Sequence, residues 1–274
     1  MLAFFVGTWS AGSILSAPFN QSIGNLPSDV TGRNVEFESA SGATIRGWLI
    51  PGEKGAGAVV LMHGVRASRL SMLKRARFLF RAGYTVLLFD FQGHGESTGE
   101  RITFGYLESK DAQAAISFLR SKAPDEKIGV IGVSMGGAAV LLSSPPLDVD
   151  AAALEMVYPT IEQAISNRLA QRLGKWSSVF TPLLSWQFRP RLGVGVEALS
   201  PKNRVGKVTA PKLFIVGEED RRTTIEESLQ MYTAASEPKE LWVVEGVGHV
   251  DSYRALSEEY EQRMLAFFEK HLRQ

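Results

Sequence analysis

Short apolar runs alternate with amphipathic helical segments along most of the chain. Eight of these runs have the length and composition of strands: residues 35–38, 44–50, 58–62, 85–89, 127–131, 151–156, 213–216 and 240–244. Several are almost unbroken apolar sequences, which indicates strands that are covered on both faces, as in a mostly parallel sheet between two layers of helices. The first two runs have no helix between them, so we expect an antiparallel hairpin at one edge of the sheet.

The N-terminal segment, residues 1–34, differs from the rest. No charged side chain precedes Asp29, and apolar residues follow a helical period at Leu2, Phe5, Val6 and Trp9. We expect an apolar helix and then a linker from Pro18 to Gly32, ahead of one domain spanning residues 35–274. The segment lacks the basic region of a secretory signal, and small polar residues dilute it as a spanning helix. An uncleaved helix is favoured, in a cytoplasmic or membrane-peripheral protein, and the pattern leaves open whether it packs on the protein or on lipid.

Composition narrows the classes of function. The chain has 274 residues, of which 45% are hydrophobic and 22% charged, typical of a globular protein with one large core. The formal net charge is only +1, so the positive field that binds nucleic acid is missing and we expect no nucleic-acid partner. There is no cysteine, and the four histidines lie in separate segments, so the sequence predicts no metal site and no cofactor.

A strand-to-helix turn carries the main candidate for chemistry. The sequence Gly132-Val133-Ser134-Met135-Gly136 follows the predicted strand 127–131 and precedes a helix of small residues. Such a turn strains the backbone of its central residue, and glycines on either side leave room for the neighbouring strand and helix. The alternative is a glycine-rich turn with an ordinary capping serine. The flanking strand and helix favour Ser134 as a nucleophile.

A serine nucleophile requires a histidine base and an acid, which follow it in the chain. Only His249 occupies a loop directly after the last strand, because the other histidines are His63, His94 and His271. The strand before it ends in Gly217-Glu218-Glu219-Asp220, and we predict Asp220 as the acid. The alternatives for the acid are Glu218, Glu219 and Asp251, each of which could equally be a solvated loop charge.

The tetrahedral intermediate of acyl transfer also needs two hydrogen-bond donors for its oxyanion. The N–H groups of Met135 and Val65 are the predicted donors, since Val65 lies in the loop after the third strand. His63 and His94 are interpreted as buried residues that hold their loops. Arg66 has two interpretations: it pairs with Glu96 or another acid, the interpretation we favour, or it meets an anionic group of the substrate.

Together these segments resemble the α/β-hydrolase superfamily, specifically its cofactor-free serine esterases and the lysophospholipase-like and FrsA-like hydrolases. The resemblance runs from about Val35 to the end of the chain and rests on the order of the HG loop, the GHGES loop, the elbow, the acid loop and the histidine loop. It implies an eight-stranded, mostly parallel sheet with helices on both faces. It also implies a short helical cap, residues 157–200, inserted after the sixth strand over an acyl pocket.

The cap bears on the substrate. Every charged residue between Gln163 and Val196 is basic, although a solvated helix face would explain this as well. We expect a serine carboxylesterase that cleaves short- to medium-chain acyl esters, with Arg66 and Tyr158 as substrate-binding residues. The alternatives are a lysophospholipase, monoacylglycerol lipase or acyl-thioesterase at a membrane surface and, less favoured, a peptidase or a non-catalytic scaffold. The sequence leaves membrane-surface contact and a homodimer open.

Overall fold

The structure is a computed structural model that describes residues 2–249 and 252–273, with the main chain alone for residues 2–6. The strands are β1 (Phe19–Asn20), β2 (Arg33–Glu38), β3 (Thr44–Ile50), β4 (Ala58–Met62), β5 (Thr85–Phe89), β6 (His94–Gly95), β7 (Ile128–Val133), β8 (Ala151–Glu155), β9 (Lys212–Gly217) and β10 (Lys239–Val244). The helices are α1 (Leu2–Ser16), α2 (Leu73–Arg81), α3 (Glu108–Lys122), α4 (Met135–Leu142), α5 (Ile161–Leu173), α6 (Ser177–Trp186), α7 (Phe188–Leu192), α8 (Ile225–Ala234), α9 (Ser252–Ala255) and α10 (Ser257–Leu272). Short 3₁₀ helices occur at Arg69–Met72, Gly174–Trp176, Val196–Ala198, Pro201–Asn203 and Val205–Lys207.

Within the described ranges, eight of the strands form one sheet in the order β10-β9-β8-β7-β4-β5-β3-β2. Neighbours from β10 to β5 are parallel, and β3 is antiparallel to both β5 and β2. The predicted runs and the predicted edge hairpin are confirmed, with bounds that differ by one or two residues at most. Because the parallel strands share a direction, the loops that follow β4, β7, β8, β9 and β10 meet at one edge of the sheet.

The sheet is apolar on both faces because a helical layer covers each of them. In β4, Val60 and Met62 pack in the same core cluster as α3 and α4. Val59 and Leu61 pack in the cluster that contains α2 and α10. All four side chains are fully buried, which explains the unbroken apolar sequence of this strand.

A buried polar network crosses the second of these layers. The Arg75 guanidinium of α2 donates to both carboxylate oxygens of Glu155, at the end of β8, over 2.8 and 3.1 Å. The Tyr260 hydroxyl of α10 donates to Glu155 and accepts from Arg75 Nε at 2.9 Å. The network therefore ties two helices to the strand next to the elbow. Nothing in the spacing of these residues predicts it.

The N-terminal helix α1 packs on the protein in this structure. The Arg191 guanidinium of α7 lies 4.3 Å above the Trp9 ring and donates to the Trp9 carbonyl at 2.6 Å. The chain after α1, which the sequence suggested was a linker from Pro18, instead begins with β1, which pairs in parallel with β6. The predicted stripe of Leu2, Phe5 and Val6 falls on side chains outside the described ones. Among the described residues, no helix has both the length and the apolar character needed to cross a membrane.

Candidate active site

Ser134 lies at the sharp turn between β7 and α4. Its backbone has φ 51° and ψ −110°, a conformation that non-glycine residues rarely adopt. A Cβ atom at Gly136 would lie 2.3 Å from the Met62 carbonyl oxygen, and one at Gly132 would lie 2.6 Å from Gly137 Cα. The glycines of the motif are therefore required by the close approach of β4 and α4. The structure holds Ser134 in the strained geometry that the motif predicts.

Asp220 and His249 meet at the same edge of the sheet. His249 Nδ1 donates to Asp220 Oδ2 at 2.6 Å, while Asp220 Oδ1 accepts the N–H groups of Arg222 and Thr223 at 2.7 and 3.0 Å. This contact directs the Nδ1 proton to the carboxylate and leaves Nε2 as the nitrogen from which a base would act. Within the described contacts no hydrogen bond joins Ser134 Oγ to His249. In catalytic sites this bond often forms well only when the substrate binds.

The other candidate acids occupy different positions. Glu218 is exposed and accepts the Gly246 N–H at 3.0 Å, and Glu219 is exposed as well. Asp251 lies outside the described residues. Of the acids that the structure describes, Asp220 alone contacts His249. The geometry therefore favours Asp220 as the orienting acid.

The predicted oxyanion donors flank the serine. A Cβ atom at Gly64 would lie 3.7 Å from Ser134 Cβ, so the loop after β4 runs beside the nucleophile. The N–H of Val65 in this loop, and that of Met135 at the start of α4, have no acceptor in the part of the chain that the structure describes. Two unpaired backbone donors beside a serine suit an oxyanion.

Two buried histidines hold the surrounding loops. His63 Nδ1 donates to the Gly64 carbonyl at 2.7 Å, and its Nε2 accepts the Phe91 N–H at 3.1 Å. His94 Nδ1 donates to the Gln92 carbonyl at 2.9 Å, and its Nε2 accepts the Arg66 N–H at 3.1 Å. Burial lowers the pKa of His63 to about 3 and also lowers the pKa of His94. Both rings are therefore neutral, as their acceptor nitrogens require.

The favoured pairing of Arg66 with Glu96 is wrong. Glu96 pairs instead with the buried Arg69, which also contacts Asp90 at 2.6 Å. Arg66 has φ 54°, its guanidinium donates to the Ile14 carbonyl of α1 at 3.1 Å, and it lies 5.0 Å above the Phe19 ring. The left-handed backbone directs its side chain away from the acid and toward the N-terminal segment.

A cavity of about 420 Å³ lies above Ser134. Ser134, Val65 and Met135 line it on one side, and we call these residues, together with Asp220, His249, His63 and His94 in the loops around them, the floor. We call α1 and residues 157–200, which line its other sides, the roof. Apolar wall residues are Leu15, Phe104, Tyr158, Ile161, Ile165, Leu169, Leu184, Phe188 and Leu192. The Tyr158 hydroxyl donates to the Phe104 carbonyl, so this residue offers the cavity its ring. Burial raises the Tyr158 pKa well above its ordinary value, so the hydroxyl keeps its proton.

Two groups of residues that line the cavity were not predicted from the sequence. The α1 residues Gly12, Leu15 and Ser16 form part of the wall, although the pattern predicted only that α1 has an apolar stripe. Arg168 of α5 and Arg222 of the acid loop also line it. The run of basic residues in the cap, and an arginine two positions after the acid, were the available signals for this pair.

Comparisons with known proteins agree with this architecture. A model of the alpha/beta hydrolase family matches residues 59–262. The uncharacterized protein YqkD of Bacillus subtilis is 26% identical over 237 residues, which cover 84% of this chain and 77% of YqkD. The polyketide transferase grgF of a Penicillium species is 24% identical over an alignment of 289 positions, which spans 87% of this chain and 96% of grgF.

Solved structures agree as well. The Pyrococcus furiosus esterase Pf2001 superimposes with a TM-score of 0.76 at 25% identity, covering 92% of this chain and 97% of the esterase. The alpha/beta hydrolase GrgF from Penicillium sp. sh18 superimposes with a TM-score of 0.69 at 22% identity, covering 89% and 99% of the two chains, a likeness of fold. The predicted fold is confirmed, and because the family model matches well over half of its length, this chain belongs to the alpha/beta hydrolase family.

Proposed function

We propose that this protein is a serine hydrolase that cleaves carboxylic esters through an acyl-enzyme. The observation that carries the proposal is the hydrogen bond between His249 and the buried Asp220, at the same sheet edge as a strained Ser134. Ser134 Oγ attacks the ester carbonyl while His249 Nε2 takes its proton, and the N–H groups of Val65 and Met135 receive the oxyanion. His249 then protonates the leaving alcohol. Water, deprotonated by the same histidine, releases the acid.

The shape of the cavity supports an acyl substrate. Its volume of about 420 Å³ falls in the range of small-molecule sites, and its walls are mostly apolar. Each methylene that enters such a site contributes about 0.8 kcal/mol, which corresponds to about a fourfold gain in kcat/KM. We expect kcat/KM to rise along a series of p-nitrophenyl esters and to fall once the acyl chain exceeds the cavity.

Initial rates on that series, with wild type and Ser134→Ala, test the proposal. Removing the nucleophile of such a site lowers kcat by about 10⁴-fold or more, whereas Ser178→Ala, an exposed serine of α6, should keep the wild-type rate. A fluorophosphonate reagent should label wild type at Ser134 and leave Ser134→Ala unlabelled. A Ser134→Ala protein that retains most of the rate, or a wild type inert toward both esters and the reagent, would refute the proposal.

A second candidate function, hydrolysis of single-chain lipid esters at a membrane surface, is favoured by the outer face of the roof. Large apolar side chains are exposed there, with Ile14 66%, Trp176 60% and Trp186 59% accessible. The charged residues of the cap between Gln163 and Val196 are all basic, which complements an anionic bilayer. Exposed tryptophans beside basic residues are typical of surfaces that contact lipid headgroups.

Co-sedimentation with vesicles tests this second function. Wild type should bind vesicles that contain phosphatidylglycerol and bind less to pure phosphatidylcholine, and the double variant Trp176→Ser with Val179→Ser should lose binding while keeping its rate on soluble esters. Equal recovery of wild type and double variant with the vesicles would contradict the candidate. Sedimentation of the lipid-free protein tests the alternative that this face binds a second copy of the chain. A wild-type dimer that becomes a monomer in the double variant would support that alternative.

A further inference from the structure

Five arginines line the cavity above Ser134, and no carboxylate among the described residues lines it. They are Arg66, Arg168, Arg172, Arg191 and Arg222. Arg66 and Arg191 are engaged by α1, through the carbonyls of Ile14 and Trp9 at 3.1 and 2.6 Å. Arg172 is exposed near the end of α5. Arg168 lies on the same helix, and Arg222 lies in the acid loop, where its N–H donates to Asp220.

Arg168 and Arg222 are held together by contacts of their neighbours. Asn167 donates to the Arg222 carbonyl at 3.2 Å, and Gln171 donates to the Arg221 carbonyl at 2.8 Å. Asn167 is further fixed by the Glu227 carboxylate at 2.8 Å. Arg168 lies on α5 between these two tethers, so the helix is fastened to the loop that carries Arg222. The juxtaposition of the two cations is therefore built into the fold.

Among the residues that the structure describes, neither guanidinium group has a carboxylate partner. The hydrogen bond of Arg168 runs to the Ala164 carbonyl at 3.5 Å, one turn back in α5, and no carboxylate of the described chain lies within ion-pairing distance of Arg168 or Arg222. Asp220 is near, but both of its oxygens are already bonded, one to His249 and the other to two backbone N–H groups. Burial, and then the charge of Arg222, lower the pKa of Arg168, and the nearby charge of Asp220 offsets these effects only in part.

Arg168 is partly buried and Arg222 is exposed, so both charges are within reach of an anion that enters the cavity from solvent. Arginine presents planar N–H donors that match carboxylate and phosphate oxygens. Arg222 is two residues from Asp220, whose other oxygen holds the histidine that protonates the leaving alcohol. An anion bound by this pair would therefore belong to the alcohol part of an ester.

We propose that Arg168 and Arg222 form an anion subsite that selects esters whose alcohol portion carries a phosphate or a carboxylate. This inference rests on the proposed esterase function and names its substrate class. The apolar walls hold the acyl chain, and the two arginines hold the charged end of the alcohol. The acyl-transfer steps are unchanged, since the anion makes and breaks no covalent bond.

A matched pair of substrates tests the proposal: 1-butyrylglycerol 3-phosphate and neutral 1-butyrylglycerol, with released butyrate measured. Wild type should prefer the phosphate ester in kcat/KM. Charge-assisted hydrogen bonds of this kind correspond to about a 10- to 100-fold effect, so Arg168→Met and Arg222→Met should each lower kcat/KM for the phosphate ester by that factor. The ratio of kcat/KM for the phosphate ester to kcat/KM for the neutral ester should therefore fall by the same factor in each variant, because the neutral ester has no anion for the arginine to bind.

Arg189→Met is the matched control, because this exposed arginine pairs with Glu197 and does not line the cavity. It makes the same change in net charge and should keep the wild-type preference. A glyceryl hemisuccinate carries its charge on the acyl part. Wild type should hydrolyse it with a kcat/KM no higher than that for neutral 1-butyrylglycerol. Preference for the hemisuccinate, or a phosphate preference that survives in both arginine variants, would overturn the proposal.

Equilibrium binding separates this inference from the function on which it rests. Ser134→Ala protein should bind glycerol 3-phosphate in calorimetry, glycerol and inorganic phosphate should bind more weakly, and Arg168→Met should remove the difference. Binding without any ester hydrolysis by wild type would refute the esterase proposal and support the subsite. Hydrolysis of the neutral ester, with no phosphate preference and no binding of glycerol 3-phosphate, would support the esterase proposal and refute the anion subsite.

Discussion

The floor of the cavity and its roof differ in how their polar groups are satisfied. On the floor, His63 and His94 each use both ring nitrogens, and Asp220 accepts three hydrogen bonds. In the roof, Trp176 and Trp186 are more than half exposed, and Arg168 has no acid partner in the part of the chain that the structure describes. The floor is therefore a rigid arrangement that fits one kind of chemistry. The roof has polar and apolar groups that a ligand or a surface could contact, and our proposals on the substrate rest on these groups.

The largest effect is expected on the floor. Asp220→Asn replaces the carboxylate that keeps the His249 proton on Nδ1, and loss of that tautomer lowers kcat by about 10⁴-fold. Esterase rates should show this fall with little change in KM. Glu218→Gln, in the same loop but exposed, should keep the wild-type rate. If both variants lost equal activity, the loop as a whole and not Asp220 would be responsible.

The next effect concerns stability beneath the floor. Arg75→Met leaves the Glu155 carboxylate buried without its cation, which costs about 3–5 kcal/mol of unfolding free energy. Urea unfolding should show it as a lower midpoint. Arg77→Met, two residues from Arg75 in α2 but paired with Asp29 at the surface, should cost less than about 1 kcal/mol. Equal losses of unfolding free energy in the two variants would mean that the buried ion pair contributes no more to stability than the surface pair.

A third effect is the response of the floor to pH. Burial lowers the folded pKa of His63 to about 3, so below its ordinary pKa of about 6.5 the unfolded chain binds a proton that the folded chain does not. Stability should therefore fall as the pH drops from about 6.5 toward 3, by up to about 1.4 kcal/mol per pH unit for this group. Unfolding free energies at pH 7.5, 6 and 5 should decline less steeply in His63→Gln than in wild type.

His271 provides the control for that measurement, since it is only partly buried and burial lowers its pKa too. His271→Gln should retain most of the wild-type slope. Burial raises the pKa of Asp111 to about 6, so this group makes the protein more stable as the pH falls. Its contribution is the same in each variant and cancels when the variant is compared with wild type. Parallel curves for wild type and His63→Gln would show that His63 is protonated in the folded state.

The smallest effect on stability is expected in the roof. Arg191→Met removes the contacts of α7 with Trp9 and Ser13, which lie at the surface, so the unfolding free energy should change by less than about 1 kcal/mol. Hydrogen exchange should nevertheless become faster in residues 7–16. Unchanged exchange in α1 would show that its other contacts, to Arg66 and Ile102, suffice to hold it.

Much of the floor could be predicted because it is local in sequence. The elbow is five consecutive residues, and its glycines are required by sterics that hold wherever such a turn occurs. The acid and the histidine directly follow apolar strands, so their place at one sheet edge follows from the direction of the strands. The choice of Asp220 over Glu218 was harder, since adjacent positions in a loop have no periodicity to separate them.

Pairings across long separations could not be predicted in the same way. An ion pair has no periodic signature, so nothing distinguished Arg66 from Arg69 as the partner of Glu96, and the structure assigns Arg69. The ion pair between Arg75 and Glu155, which are 80 residues apart, could not be predicted for the same reason. The helix α1 also became part of the cavity wall through packing alone.

The sequence by itself determined the sheet, the strained position of Ser134 and the candidate residues of the floor, because steric limits and hydrophobic period act on neighbours in the chain. Only the tertiary structure decided which arginines pair with a carboxylate and which, as with Arg168 and Arg222, line the cavity with no carboxylate partner among the described residues. The physical reason is that charge pairing depends on distance in space, which the packing of α1 and the cap establishes.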